Sequence, residues 1–171
     1  MTMKSVDLPH LRSVVLAGHA GSGKTTLAEQ LLFRAGAVQR LGRVDDGTAH
    51  LDFEPEEQKR RESLSLAVGT FESDGTRISL VDTPGYPDFI ADVIEGFAAT
   101  DGAILVMDAS AGSVEAGLEH AVALARGSGT AACFFINKGD RENAQQFRHD
   151  FPLIRLVLEH NSTPLGRVGA N

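Results

Sequence analysis

Gly18-His19-Ala20-Gly21-Ser22-Gly23-Lys24-Thr25 is the stretch on which the fold turns. It fits a glycine, four variable residues, then Gly-Lys-Thr; it follows an apolar run at residues 13–17 and opens a helical pattern. Glycines let a backbone wrap closely enough for successive N–H groups to point inward at phosphate oxygens. The positive end of the following helix adds to the same field. In such a loop Lys24 reaches the β and γ phosphates of a nucleotide, and the Thr25 hydroxyl is placed to bind Mg²⁺. Gly18, His19, Ala20, Gly21, Ser22, Gly23, Lys24, Thr25 and Thr26 are the residues assigned to nucleotide contact.

Outward from this loop, three further short apolar runs occur at residues 78–81, 103–107 and 131–136. They are near-continuous rather than alternating, as expected of strands covered on both faces of a parallel sheet. Leu27, Leu31, Leu32 and Ala35 share one helical face, with Gly36 placed to end that helix. Phe89, Val93, Ile94 and Phe97 repeat the pattern, as do Val114, Leu118, Ala121, Val122 and Ala125. Alternating strand and helix predicts an α/β architecture, a mostly parallel sheet with helices on both faces. One segment departs from it. Leu64, Leu66 and Val68 alternate with small or polar residues up to Phe71, and Ser73-Asp74-Gly75 offers a turn. This predicts an edge strand antiparallel to residues 78–81. Residues 36–63 are polar, charged and weakly periodic, and so long a structureless stretch in a compact domain is usually functional or mobile. Beyond Asp140, Pro152 interrupts the helical pattern.

The 171 residues suit one domain with a sizeable core, with 42% hydrophobic and 23% charged residues. A net charge of −7 argues against charge-driven binding to naked nucleic acid, and no sequence-specific DNA binding is expected. A single cysteine, Cys133, allows no intrachain disulfide and suits a reducing compartment. No run is long enough to span a membrane and the start lacks a signal peptide's apolar stretch. A cytoplasmic, monomeric protein without membrane attachment is expected.

Two more motifs narrow the ligand. Asn137-Lys138-Gly139-Asp140 follows the run at 131–136, at the carboxyl edge where open sheets bind ligands. The Asp140 carboxylate is able to accept from two guanine donors, the ring N–H and the exocyclic amine, whereas adenine offers no such pair. The Lys138 stem can cover the base and Asn137 can tie this loop to the phosphate loop. GTP is therefore favoured over ATP, and an ATP-using kinase is the disfavoured rival. Val81-Asp82-Thr83-Pro84-Gly85-Tyr86 ends a strand with a carboxylate and turns sharply, so Asp82 and Gly85 stand where a phosphate is sensed.

With these motifs in order, the chain resembles the translational GTPases, and most of all the guanine-nucleotide domain of elongation factor G. The similar stretches are GHAGSGKTTLAEQLLFRAG, RVDDGTAHLDFEPEEQ, VDTPGYPDF and NKGDRENA, spread over residues 12–147. The resemblance implies a P-loop nucleoside-triphosphatase fold, GTP or GDP and Mg²⁺ as ligands, GTP hydrolysis as the activity and the ribosome as partner. It also implies that Thr25, Ser63 and Asp82 serve the metal, and that Lys24, Gly85 and Tyr86 serve catalysis. Histidine is common in the family at the position of His19, which implies a structural role in the loop.

The departures are specific. The family ends its first switch with Arg-Gly-Ile-Thr-Ile, where this chain has Arg60-Arg61-Glu62-Ser63-Leu64. Ser63 keeps the metal-binding hydroxyl, whereas Arg61 and Glu62 replace a glycine and an apolar residue. After Gly85 the family carries a histidine that orients the attacking water, and here the residue is Tyr86. A phenol donates or accepts a hydrogen bond but stays neutral near pH 7, with an ordinary pKa of about 10. The alternative function is therefore a guanine-nucleotide switch or ribosome-associated regulator with little intrinsic hydrolysis. The family's late Ser-Ala loop, which reads the guanine oxygen, has no counterpart after Asp140, and Thr163-Pro164-Leu165 resembles a segment after which the family continues. One domain truncated at its carboxyl end is expected. His10, His50, His120, His149 and His160 have no metal-like spacing, and Lys59-Arg60-Arg61 reads as a solvated charged segment.

Overall fold

The computed structural model describes residues 7–144. Its five strands are β1 (Leu11–Ala17), β2 (Ala67–Ser73), β3 (Thr76–Asp82), β4 (Gly102–Asp108) and β5 (Ala131–Asn137). Four helices connect them: α1 (Lys24–Arg34), the short α2 (Pro55–Arg60), α3 (Ile90–Ala98) and α4 (Ala116–Ser128). The sheet order is β2-β3-β1-β4-β5. All pairings are parallel except β2 with β3, which forms the antiparallel edge. Asp74 and Gly75, with φ of 48° and 74°, make the two-residue turn of that hairpin. Positive φ at both positions matches the right-handed twist of the flanking strands.

The pleat sorts the central strands between two layers. Leu16 and Leu80 point to one face, where they meet Ala28 and Leu32 of α1 and Leu51. Val15, Ala17, Val81, Leu105 and Met107 point to the other, against Val93 and Phe97 of α3 and Leu118, Ala121 and Val122 of α4. Leu16, Leu80, Leu105 and Leu118 are each at most 1% exposed. Such side chains contribute about 1.5–3 kcal/mol apiece on burial. Helices on both faces and the antiparallel edge agree with the pattern read from the chain.

Four local expectations are corrected. The edge strand begins at Ala67 rather than Leu64, because the preceding amides are already taken: Leu64 and Ser65 donate to Glu57, and Leu66 donates to Asp92 of α3. The polar stretch 36–63 contains the helix α2, with Pro55 at its first position. Ile94 lies on the outer side of α3 and is 49% exposed. Among the described residues the run at 131–136 forms an edge strand, with Phe135 and Ile136 38% and 44% exposed rather than covered on both faces. Pro152, His149, His160 and residues 163–165 lie outside the described residues. Because β1, β3, β4 and β5 run parallel, Ala17, Asp82, Asp108 and Asn137 all end at one edge. The loops that follow them converge there.

Candidate functional site

The loop after β1 turns through Gly18, Gly21 and Gly23, whose φ values are 149°, 73° and 98°. At two of them a side chain is excluded by space as well. A Cβ on Gly18 would overlap the Val106 carbonyl, and one on Gly23 would overlap the Asn137 amide. α1 begins at Lys24, so the N–H groups of Lys24, Thr25 and Thr26 have no helical carbonyl to bond and are available to an anion. The Thr26 side chain itself is exposed, away from the buried Lys24 and Thr25. Lys24 Nζ donates to the His19 carbonyl at 2.8 Å. Burial lowers its pKa to about 8, against the opposing pull of Asp82 and Glu115. The ammonium is thus poised beside the loop with weak protein compensation for its charge. The His19 ring faces α4, where its Nδ1 accepts from the Gly117 amide at 3.4 Å and its Nε2 lies 3.6 Å from Glu115. The Ser22 hydroxyl is buried without a hydrogen-bond partner.

Thr25, Ser63 and Asp82 come together, and Asp52 joins them. Thr25 Oγ1 lies 2.9 Å from Ser63 Oγ, which donates to Asp52 Oδ1 at 2.7 Å. Asp82 is close enough to Thr25 and Asp52 for both to act on its charge. Burial raises the pKa of Asp82 to about 7, opposed by Thr25 and Lys24 and reinforced by Asp52 and Glu29. Burial likewise raises that of Asp52, against the Ser63 hydrogen bond. Asp82 Oδ1 and Asp52 Oδ2 are buried with no partner. Two buried, unpartnered carboxylate oxygens beside two hydroxyls make an all-oxygen donor set that fits a hard divalent cation. Among the described residues no group of three or more His, Cys, Asp or Glu could hold a metal by itself. A cation here therefore needs the hydroxyls and oxygens supplied by a ligand.

The motif after β5 reaches the phosphate loop directly. Asn137 Nδ2 donates to the Ser22 carbonyl at 2.9 Å, and Lys138 Nζ donates to the Gly21 carbonyl at 2.7 Å. Asp108 at the end of β4 pairs with Lys138 and fixes the stem of that side chain. Lys138 has φ of 58°, and the Arg141 amide donates to its carbonyl, closing a turn that leaves Asp140 exposed. The loops after β1 and β5 are thus one unit, with Asp140 at its open end.

Gly85 packs so closely on the phosphate loop that a Cβ there would overlap the Ala20 amide and Lys24 Nζ. The next side chain turns to a different partner. Tyr86 Oη donates to Glu62 Oε1 at 2.8 Å, and that bond pushes the phenol's pKa up. Tyr86 is 38% exposed.

Three acids escaped the reading of the chain. Asp52 joins the hydroxyl cluster. Glu29, fully buried, accepts from the amides of Gly42, His50 and Leu51 and pairs with His50 Nδ1 at 2.8 Å. Glu57 accepts from the amides of Glu54, Leu64 and Ser65. His50 is exposed and yet is anchored. The only signal in the chain was their place in two of the quoted resemblances, Glu29 in residues 18–36 and Asp52 and Glu57 in residues 43–58.

Comparison with known proteins agrees with this geometry. Residues 9–162 match the family model described as the elongation factor Tu GTP binding domain. Elongation factor G 2 of Syntrophus aciditrophicus (strain SB) is 38% identical over 159 residues, 92% of this chain and 23% of that protein. The mitochondrial ribosome-releasing factor 2 of Yarrowia lipolytica is 36% identical over 134 residues, 78% of this chain and 17% of that protein. A crystal structure from Thermus thermophilus superposes with a TM-score of 0.76 at 35% identity, covering 83% of this chain and 22% of that one. The chain spans about a fifth of the length of these relatives.

Proposed function

Because this chain belongs to the elongation factor Tu GTP binding domain family, we propose that it binds and hydrolyses GTP as the nucleotide module of an elongation-factor-G-like translation factor acting on the ribosome. The observation that carries the reading is the pair of hydrogen bonds from Asn137 and Lys138 onto the carbonyls of Ser22 and Gly21. They lock a loop suited to phosphates and a loop suited to guanine into one site. Asp140 at its end accepts the two guanine donors, and an adenine there leaves a carboxylate unpaired. A working place in the compartment that holds the ribosomes follows, as a monomer with no membrane contact. Among the described residues no helix is long and apolar enough to cross a membrane.

The mechanism is positioning and electrostatics. The N–H groups of the phosphate loop and the Lys24 ammonium take the charge that grows on the phosphate oxygens. Thr25 and Ser63 offer hydroxyls and Asp82 and Asp52 offer carboxylates to Mg²⁺. Held by these residues, Mg²⁺ would supply positive charge against the phosphates. The Gly85 N–H meets the γ phosphate, and Tyr86 stands on the side from which water attacks. The test is competition of GDP and ADP for the chain, followed by single-turnover GTP cleavage with and without ribosomes. Preference for GDP and ribosome-stimulated cleavage are expected. A preference for ADP would refute the guanine reading. Tight GDP binding with no cleavage on ribosomes would instead support the switch or regulator, a reading motivated by Arg61, Glu62 and Tyr86 where the family has a glycine, an apolar residue and a histidine.

A further inference from the structure

Glu62 and Tyr86 are 24 residues apart in the chain and occupy the two segments that approach the phosphate loop. Each backbone is fixed on both sides. The Glu62 amide donates to the Glu57 carbonyl, and the next residue, Ser63, contacts Thr25. The Tyr86 carbonyl accepts from the Phe89 amide, and the preceding Gly85 lies against Ala20 and Lys24. The Tyr86 side chain is the loose part, 38% exposed and held by its hydrogen bond to Glu62. A phenol has one proton. Given to a carboxylate, it leaves the oxygen as an acceptor. Water attacking a phosphorus turns a lone pair to that atom and its hydrogens elsewhere, so an acceptor is the polarity it needs.

We propose that Glu62 is the positioning residue of Tyr86: it takes the phenol's proton in a hydrogen bond, fixes the ring across the two closing segments, and leaves the phenol oxygen to accept from the attacking water. This rests on the hydrolytic reading above.

The chain has one tyrosine and no tryptophan, so its tyrosine emission reports this pair alone. A carboxylate hydrogen-bonded to a phenol quenches that emission. Without nucleotide, Glu62→Ala should raise it, and unchanged emission would overturn the proposal before any chemistry is measured. At saturating GTP, Glu62→Ala and Tyr86→Phe should each slow single-turnover cleavage about tenfold, the equivalent of one hydrogen bond. The double variant should be no slower than either, Glu62→Gln should recover most of the loss through its amide oxygen, and GTP affinity should stay within about twofold. Cleavage by the unaltered chain with no loss in Glu62→Ala, or losses that multiply in the double variant, would overturn the positioning role and leave the GTPase reading standing. An unaltered chain that binds GTP and never cleaves it, on ribosomes or off, would overturn that reading and the role with it.

Discussion

A Cβ at Gly85 overlaps the Ala20 amide nitrogen and the Lys24 ammonium, so Gly85→Ala must lift the turn after Asp82 off the phosphate loop. GDP has no γ phosphate and does not need that turn. Gly85→Ala should therefore leave GDP affinity within about threefold while weakening GTP binding about tenfold or more, the equivalent of one charge-assisted hydrogen bond. Calorimetric titration of both nucleotides checks this, and equal losses for the two would show that the turn serves only the fold. Asp140 is the complementary case. It is exposed and outside the core, so Asp140→Asn should not move the melting temperature. It places an N–H donor against guanine donors and should weaken GDP about a hundredfold, since two charge-assisted hydrogen bonds are lost. Retained GDP affinity would remove Asp140 from base reading. These residues were legible because each motif is contiguous and its chemistry demands fixed spacing. Asp52 was not, since Ser63 reaches it from 11 residues away and Thr25 meets it only through Ser63. The bond between Tyr86 and Glu62 was hidden for the same reason, although both were singled out as departures.

At the level of elements, the segment between α1 and β2 is held by two buried carboxylates rather than by a regular ladder. Glu29 sits in the middle of α1 and collects three amides and the His50 ring, while Glu57 in α2 collects three amides on either side of that helix. Glu29→Ala removes the acceptor and leaves the Gly42, His50 and Leu51 amides without their partner. The expected loss is about 2–4 kcal/mol of stability, with faster amide exchange confined to residues 42–51. Exchange that rises equally in β1 and β4 would mean that Glu29 supports the whole fold. The same wiring explains the limits of periodicity here. Strands β1, β3 and β4 and helices α1 and α4 bury apolar faces, which repeat in the sequence and can be counted. The start of β2 and the existence of α2 depend on which carboxylate takes which amide, and such partners leave no period.

Across the whole molecule, the site sets how stability responds to pH, because it buries an acid and a base whose charges the fold alone does not compensate. Burial holds the Asp82 pKa at about 7 instead of 3.8, so between these values the folded chain keeps a proton that the unfolded chain has lost. This contribution is fully present below about pH 3.8 and is lost as pH rises through about 7. The buried Lys24 behaves in the opposite sense, with its pKa lowered from 10.5 to about 8. Its contribution is present above about pH 10.5 and is lost as pH falls through about 8. The two losses meet between pH 7 and 8, where both groups are charged and buried. The chain without nucleotide and Mg²⁺ should therefore be less stable there than at pH 5.5, against the common pattern of maximal stability near neutrality. If, as proposed, Mg²⁺ takes the ionised carboxylate and phosphate the protonated lysine, the increment in melting temperature from Mg²⁺ with GDP should be larger at pH 7.5 than at pH 5.5. Asp82→Asn should flatten the fall between pH 5.5 and 7.5 and abolish the Mg²⁺ increment, leaving a smaller one from GDP alone. Melting curves for both chains at the two pH values, with and without Mg²⁺ and GDP, decide the matter. A bare chain at its most stable near pH 7.5, or an Asp82→Asn chain with the unaltered pH response, would show that Asp82 and Lys24 are compensated from elsewhere in the molecule.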